Sequence, residues 1–168
     1  KNRLLAGPCR VLAIGGGFIG LEIAAAAREL GHAVTVVEAQ DRLMARVIAP
    51  QVSDYYLNLH VNHGVDVLLN AGVREIDRTG AIMSVVLDDD RQIPADIVVV
   101  GIGSVARTEL AEAAGLACNN GIVVDEYAQT SDRHIVAAGD CTMHRNVRHD
   151  GHLRLESVQN AVDQAKIA

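Results

Sequence analysis

The spacing of hydrophobic positions changes several times along the chain, and each change marks an element. Short apolar runs at Cys9–Ile14 and Ala33–Val37 bracket Phe18–Gly31, whose apolar residues recur at helical spacing. Strand, helix and strand in that order predict a βαβ unit from about Cys9 to Glu38. The connector Ala39–Met44 leads to a second helical pattern, about Ala49–His63. There Val52, Tyr55, Tyr56, Leu59 and His63 step by three and four residues, which predicts the buried face. Gly64 ends that helix, and Asp66–Leu69 reads as the next parallel strand. Arg74–Asp77, Ala81–Leu87 and Gln92–Pro94 are short segments separated by Thr79-Gly80 and Asp88-Asp89-Asp90. They predict an antiparallel meander where a crossover helix is usual, with the three aspartates as a hairpin turn. Ala95–Gly101 is apolar on both faces and predicts a central parallel strand. A helix of about Thr108–Ala114, stopped by Gly115, follows. Beyond Leu116 come short strands at Gly121–Val124 and His134–Ala138, then a closing helix from about Ser157.

The first turn carries the chemistry. Gly15-x-Gly17-x-x-Gly20 follows the first strand and opens the first helix. Gly15 permits a tight turn, Gly17 lets the backbone approach a pyrophosphate, and Gly20 lets helix and strand pack closely. The helix N-terminus then offers unpaired amides to the anion. Glu38 closes the second strand at the position where an acid receives the adenosine ribose diol. Together these elements predict an α/β fold with a Rossmann-like parallel sheet, a β-meander crossover and a dinucleotide site that prefers NAD to NADP.

Bulk properties narrow the remaining classes. With 168 residues, 49% of them hydrophobic, the chain is globular and holds one ordinary core with a small annex. A net charge of −6 and only Phe18, Tyr55, Tyr56 and Tyr127 as aromatics argue against nucleic acid as partner. No apolar run is long enough for a membrane span. Cys9, Cys118 and Cys141 form no C-x-x-C motif and are odd in number, which predicts a reduced, cytoplasmic protein without a disulfide framework.

A second candidate site lies downstream. Ile135–Asp140 reads as a strand ending in Gly139-Asp140, where an acid beside a residue without Cβ receives a sugar or ribityl hydroxyl. Asp140 also suits a plain turn or N-cap.

These segments fall into a known order: Ile14–Glu22, Ala49–Ser53, Pro94–Asp96, Gly101–Gly103, Gly121–Val124, Gln129–Asp132, Ala138–Asp140 and Leu155–Ala161. With them the chain resembles the FAD-dependent, NADH-oxidising reductases that feed small iron–sulfur proteins. These are the putidaredoxin and rubredoxin reductases and the reductases of aromatic-ring oxygenases. The family interrupts an FAD domain with an NAD domain and adds a C-terminal domain. The resemblance implies that residues 1–116 are the NAD(H) domain and 117–168 the returning segment of the FAD domain. It also implies a fragment, with the FAD diphosphate motif outside this chain and FAD held only by the full-length protein. Gly15, Gly17, Phe18, Ile19 and Gly20 would line the pyrophosphate turn and Glu38 the ribose. Glu22 would lie toward the nicotinamide, or simply stabilise its helix end. Gly101, Ile102 and Gly103 would floor the nicotinamide pocket. Gly139 and Asp140 would meet the ribityl chain, and Glu156, Ser157 and Val158 the flavin ring. Ala106-Arg107 stands where the family usually has Pro-Asn. The implied reaction is hydride transfer to flavin, then single electrons to a ferredoxin or rubredoxin, with no acid–base residue of the protein in a catalytic role.

Other readings share these residues. Cys141, His144, His149 and His152 suggest zinc, but their spacing is not a standard finger, and Arg145, Arg148 and Arg154 repel a cation. The same stretch is a basic patch suited to an acidic ferredoxin, or a solvated loop. An NADH-dependent flavoprotein oxidase, peroxidase or nitrite reductase component shares the same core, and a nucleotide-binding module without turnover is the non-enzyme alternative.

Overall fold

The computed structural model describes residues 2–79, 82–146 and 151–168. The chain forms two compact units, Lys1–Gly103 and Ser104–Ala168, dividing ahead of the expected domain boundary at residue 116.

The first unit runs α1 (Asn2–Leu5), β1 (Arg10–Ile14), α2 (Phe18–Glu29), β2 (Ala33–Val37), α3 (Pro50–Asn62), β3 (Val65–Leu68), β4 (Val73–Asp77), β5 (Ser84–Leu87), β6 (Gln92–Pro94) and β7 (Ile97–Val100). Four strands form a parallel sheet in the order β3-β2-β1-β7. The antiparallel meander β4-β5-β6 carries the chain from β3 at one edge to β7 at the other. Alternation along β1 explains its continuous apolar run. Val11 and Ala13 pack with Leu21, Ala24 and Ala27 of α2, while Leu12 and Ile14 pack with Val85, Leu87 and Ala95 on the meander side. Both faces are covered, so neither position tolerates a polar residue.

That two-sided packing corrects one expectation. The Ala95–Gly101 run is an edge strand of the sheet, since β7 pairs with β1 alone among the described residues. Ile97 packs toward the helices and Val98 toward the meander. An apolar run on both faces therefore reports two covered faces, not two paired edges.

α3 turns a different face inward from the one its hydrophobic spacing predicts. Ser53 and His60 are buried, Tyr56 and Leu57 are half-buried against the core, and Val52, Tyr55, Leu59 and His63 are exposed. Ser53 is accommodated because its Oγ donates to the Leu43 carbonyl at 2.6 Å and accepts from Arg42 at 3.0 Å. A satisfied hydroxyl costs little to bury. Burial, with His63 nearby, pushes the His60 imidazole below its usual range. Asp88–Asp90 form the expected hairpin turn between β5 and β6. Asp90 pairs with Arg74 at 2.6 Å and Asp89 with Arg91 at 2.8 Å.

At the opposite end of the sheet from the glycine turn, Asp96 ties the start of β7 to β1. Its carboxylate accepts from Arg10 Nη2 and the Arg10 amide at 2.9 Å and from Nε at 3.0 Å. These bonds hold its carboxyl well below the usual carboxylate range. The unfolded chain protonates this group near pH 3.9. The tie therefore stabilises the fold above that pH and loses its contribution as pH falls below it. Asp96→Asn should melt several degrees lower than the wild type at pH 7. Thermal melts of the two should converge as pH drops from about 4 to 2.5, and a constant gap would contradict this role.

The second unit contains α4 (Glu109–Ala113), β8 (Ile122–Val124), β9 (Thr142–Arg145), β10 (His152–Leu153) and α5 (Val158–Ile167). β9 pairs parallel with β8 and antiparallel with β10. The expected strand at His134–Ala138 is not formed, and only Val136 makes a bridge, to Gln129. Local turn bonds take up the preceding backbone. The Asp132 carboxylate accepts from the His134 amide, and the Ile135 amide donates to the Asp132 carbonyl. Ser157 caps α5, its hydroxyl accepting from the Asn160 amide at 3.2 Å. No described helix is long and apolar enough to cross a membrane.

Candidate functional site

Gly15 and Gly20 meet Gly101, distant in sequence, where β1 and β7 end. The Gly101 amide donates to the Ile14 carbonyl at 2.8 Å, which brings the end of β7 beside the turn after β1. A Cβ on Gly15 would lie 2.5 Å from the Gly101 oxygen, and one on Gly20 would lie 2.0 Å from the Gly15 oxygen. Gly15 also has φ +102°, a conformation side chains rarely adopt. At these two positions backbone packs on backbone and nothing larger fits.

Gly17 is different. It is the N-cap of α2, without a side-chain capping bond, and a Cβ there meets nothing nearer than the Gly101 oxygen at 4.0 Å. The space beside Gly17 is open, as a site that receives a pyrophosphate requires. The first intrahelical bond runs from the Leu21 amide to the Gly17 carbonyl, so the amides of Phe18, Ile19 and Gly20 at the helix start are those that face an anion. Phe18 and Ile19 are 56% and 62% exposed at this helix end, which places large apolar side chains beside the turn. Glu22 is exposed at the fifth position of α2, beyond the first turn, so the helix-end alternative for it loses its basis.

Glu38 is held at the same turn. Its Oε2 accepts from the Gly16 amide at 2.7 Å and its Oε1 from the Gln40 amide at 2.8 Å. Two of about four acceptor directions on the carboxylate are used, leaving two for a diol. Gly16 belongs to this site although the fingerprint passes over it. A Cβ there would lie 2.5 Å from Leu43 Cδ2 and 3.2 Å from Glu38 Cβ. The run of three consecutive glycines was the available signal.

Two arginines follow Glu38 and behave differently. Arg42 is occupied, donating to the Ile48 carbonyl and Ser53 Oγ as well as to the Ala45 carbonyl. Arg46 is exposed and donates to the Ile102 carbonyl at 3.4 Å, with its guanidinium beside Gly103. Ile102 is 65% exposed and Gly103 has φ +112°. Arg46 is thus a candidate phosphate ligand beside Ile102 and Gly103, recognisable only once the fold brings residue 46 to residue 102.

In the second unit, the turn at Gly139-Asp140 is held by α5. Gln164 Oε1 accepts from the Gly139 amide at 2.8 Å and from Thr142 Oγ1 at 2.9 Å. Asp140 is exposed and lines a shallow groove of about 430 Å³ with Ser157, Val158 and Ala161. Glu156 is engaged instead by Arg154 at 2.6 Å and by the Ser104 hydroxyl at 2.7 Å. Arg154 also donates to the carbonyls of Asp140 and Ser104. With its side chain 12% exposed, it is a structural tie, which removes it from the basic patch considered as a docking surface. Arg145 remains exposed, and Arg148 and His149 lie outside the described residues. Of the residues in the zinc reading set aside above, Cys141 Sγ donates to the Ala138 carbonyl and His144 faces Gln164.

The residues of the turn fit a dinucleotide diphosphate: a helix end with free amides, an open space at Gly17 and an oriented acid. Known proteins are similar to this chain over nearly its whole length. Rhodocoxin reductase of Rhodococcus erythropolis is 51% identical over 157 residues, covering 93% of this chain and 37% of the relative. A rubredoxin-NAD(+) reductase of Pseudomonas putida is 43% identical over 167 residues, covering 99% and 43%. The crystal structure of the ferredoxin reductase for the CYP199A2 system of Rhodopseudomonas palustris superposes with a TM-score of 0.93 at 44% identity, covering 98% and 41%. The chain therefore spans about two fifths of the length of these relatives. The sequence profile described as "Pyridine nucleotide-disulphide oxidoreductase" matches residues 2–165. With nearly the whole chain matched and its glycine turn, acid and sheet order in place, the protein belongs to the pyridine nucleotide-disulphide oxidoreductase family.

Proposed function

We propose that this chain is the NADH-binding portion of an FAD-containing reductase that passes electrons to a small iron–sulfur protein of the ferredoxin or rubredoxin type. The observation that carries the reading is the open, amide-lined turn at Gly17 with Glu38 oriented beside it. The names of the relatives, a rubredoxin-NAD(+) reductase and a ferredoxin reductase among them, support the electron acceptor. Residues 1–116 bind NADH: Gly15, Gly17, Phe18, Ile19 and Gly20 at the pyrophosphate, Glu38 at the ribose, Glu22 and Gly101–Gly103 toward the nicotinamide. Residues 117–168 contribute to the FAD site through Gly139, Asp140, Ser157 and Val158, and Glu156 acts through its tie to Arg154. Bound NADH and FAD together supply the conversion of a hydride into single electrons. The side chains orient the cofactors and exclude water, and none serves as an acid or base. Three free cysteines are in keeping with a cytoplasmic protein.

Replacing the matching span of rhodocoxin reductase with this chain tests the reading. The chimera should bind FAD and reduce ferricyanide with NADH. The 168-residue chain alone should bind NADH yet purify colourless, because one shallow groove gives FAD no grip on its diphosphate. A folded chimera that retains flavin but does not oxidise NADH would refute the proposal.

A further inference from the structure

Cys9, Cys118 and Cys141 are free thiols of the same intermediate exposure, but their surroundings differ. Cys141 Sγ donates to the Ala138 carbonyl at 3.6 Å, and faces no base there. Burial, reinforced by Glu112, pushes the Cys118 thiol up. Cys9 alone among these faces a base, with its Sγ 3.6 Å from His32 Nδ1.

His32 is 1% exposed, and its Nε2 has no partner among the described residues. The Cys9 amide donates to Nδ1 at 3.3 Å, so the neutral ring carries its proton on Nε2 and presents the Nδ1 lone pair toward the sulfur. Moving the thiol proton to Nδ1 sacrifices that one long amide bond. The far side of the ring neither gains nor loses a partner, because Nε2–H is unpaired before and after. A buried imidazole with an unmatched N–H is costly to retain. Its position against a thiol gives it a use.

We propose that Cys9 and His32 form a thiol–imidazole site at the amino-terminal end of β1 that exchanges with low-molecular-weight disulfides. In the exchange the Cys9 proton passes to His32 Nδ1, and Sγ attacks one sulfur of the disulfide. The reagent's S–S bond breaks as the Cys9 mixed disulfide forms. The second half leaves as a thiolate and takes up a proton, so one thiol is consumed and one released. Cys9 directly precedes Arg10, at the opposite end of β1 from Gly15, so the site is separate from the nucleotide turn and does not depend on that reading.

The test is a time course of the folded chain with oxidised glutathione, with adducts mapped to each cysteine by mass spectrometry. Cys9 should be modified at least about tenfold faster than Cys118 or Cys141. In His32→Asn the Cys9 rate should fall to that of the other two. Equal rates at all three cysteines in the wild type would overturn the proposal, as would an undiminished Cys9 rate in folded His32→Asn. Should that variant fail to fold, the wild-type ranking decides alone.

Discussion

Gly17→Val should fold like the wild type and lose NADH binding by more than about 100-fold, as read by titration calorimetry and thermal melting. The two halves of this expectation have separate causes. A Cβ at Gly17 meets no atom closer than 4.0 Å, and the residue sits at φ −84°, which valine adopts without strain. The fold therefore has no objection to the side chain. The pyrophosphate does, because the branched methyls would fill the space in which it approaches the backbone. Gly20→Ala is the contrasting control. Its methyl would lie 2.0 Å from the Gly15 oxygen, so helix and strand must separate and the melting temperature should fall. Wild-type affinity in folded Gly17→Val would refute the site.

NADH should bind more tightly than NADPH by at least about tenfold at low salt. A 2′-phosphate would stand against the Glu38 carboxylate. At about 4 Å and an effective dielectric near 20, that repulsion approaches about 4 kcal/mol per unit charge before solvent screening. Glu38 cannot easily swing aside, because the amides of Gly16 and Gln40 hold both of its oxygens. Nor is Arg42 free to neutralise the phosphate while it donates to the loop Ala45–Ile48 and to Ser53. Glu38→Gln should narrow the preference by removing the charge while keeping the acceptor to Gly16. Equal affinities of the wild type for both nucleotides would remove the role assigned to Glu38, with Arg46 the cation to examine.

The βαβ unit was legible because every signal in it agrees. β1 is covered on both faces, α2 packs Gly20, Ala24 and Ala27 toward it, and Gly15 and Gly20 stand where backbone touches backbone. The inward face of α3 was not legible, since Ser53 is buried on the strength of two hydrogen bonds and hydrophobic spacing records none. β9 and β10 were missed for a related reason. Thr142–Arg145 and His152–Leu153 mix polar and basic residues with single apolar ones, and β9 owes its place to pairing with β8 across an intervening loop. The site divides in the same way. Gly15, Gly17, Gly20 and Glu38 lie within one local motif and could be read in order. Arg46 beside Ile102, and Arg154 tying Glu156 to Ser104, join residues that only the folded chain makes neighbours.

The contact among Gly15, Gly20 and Gly101 bears on how the protein can be altered. The cradle is fixed by main chain touching main chain, so its shape does not depend on which side chains surround it. On the proposed reading, coenzyme choice would rest instead on side chains, Glu38 beside the turn and Arg46 beside Gly103, which can be exchanged without disturbing that framework. The fold thus separates a part that evolution or a designer must leave alone from a part open to revision. A change of nucleotide preference is within reach of a few substitutions, whereas relocating the phosphates would require a new backbone.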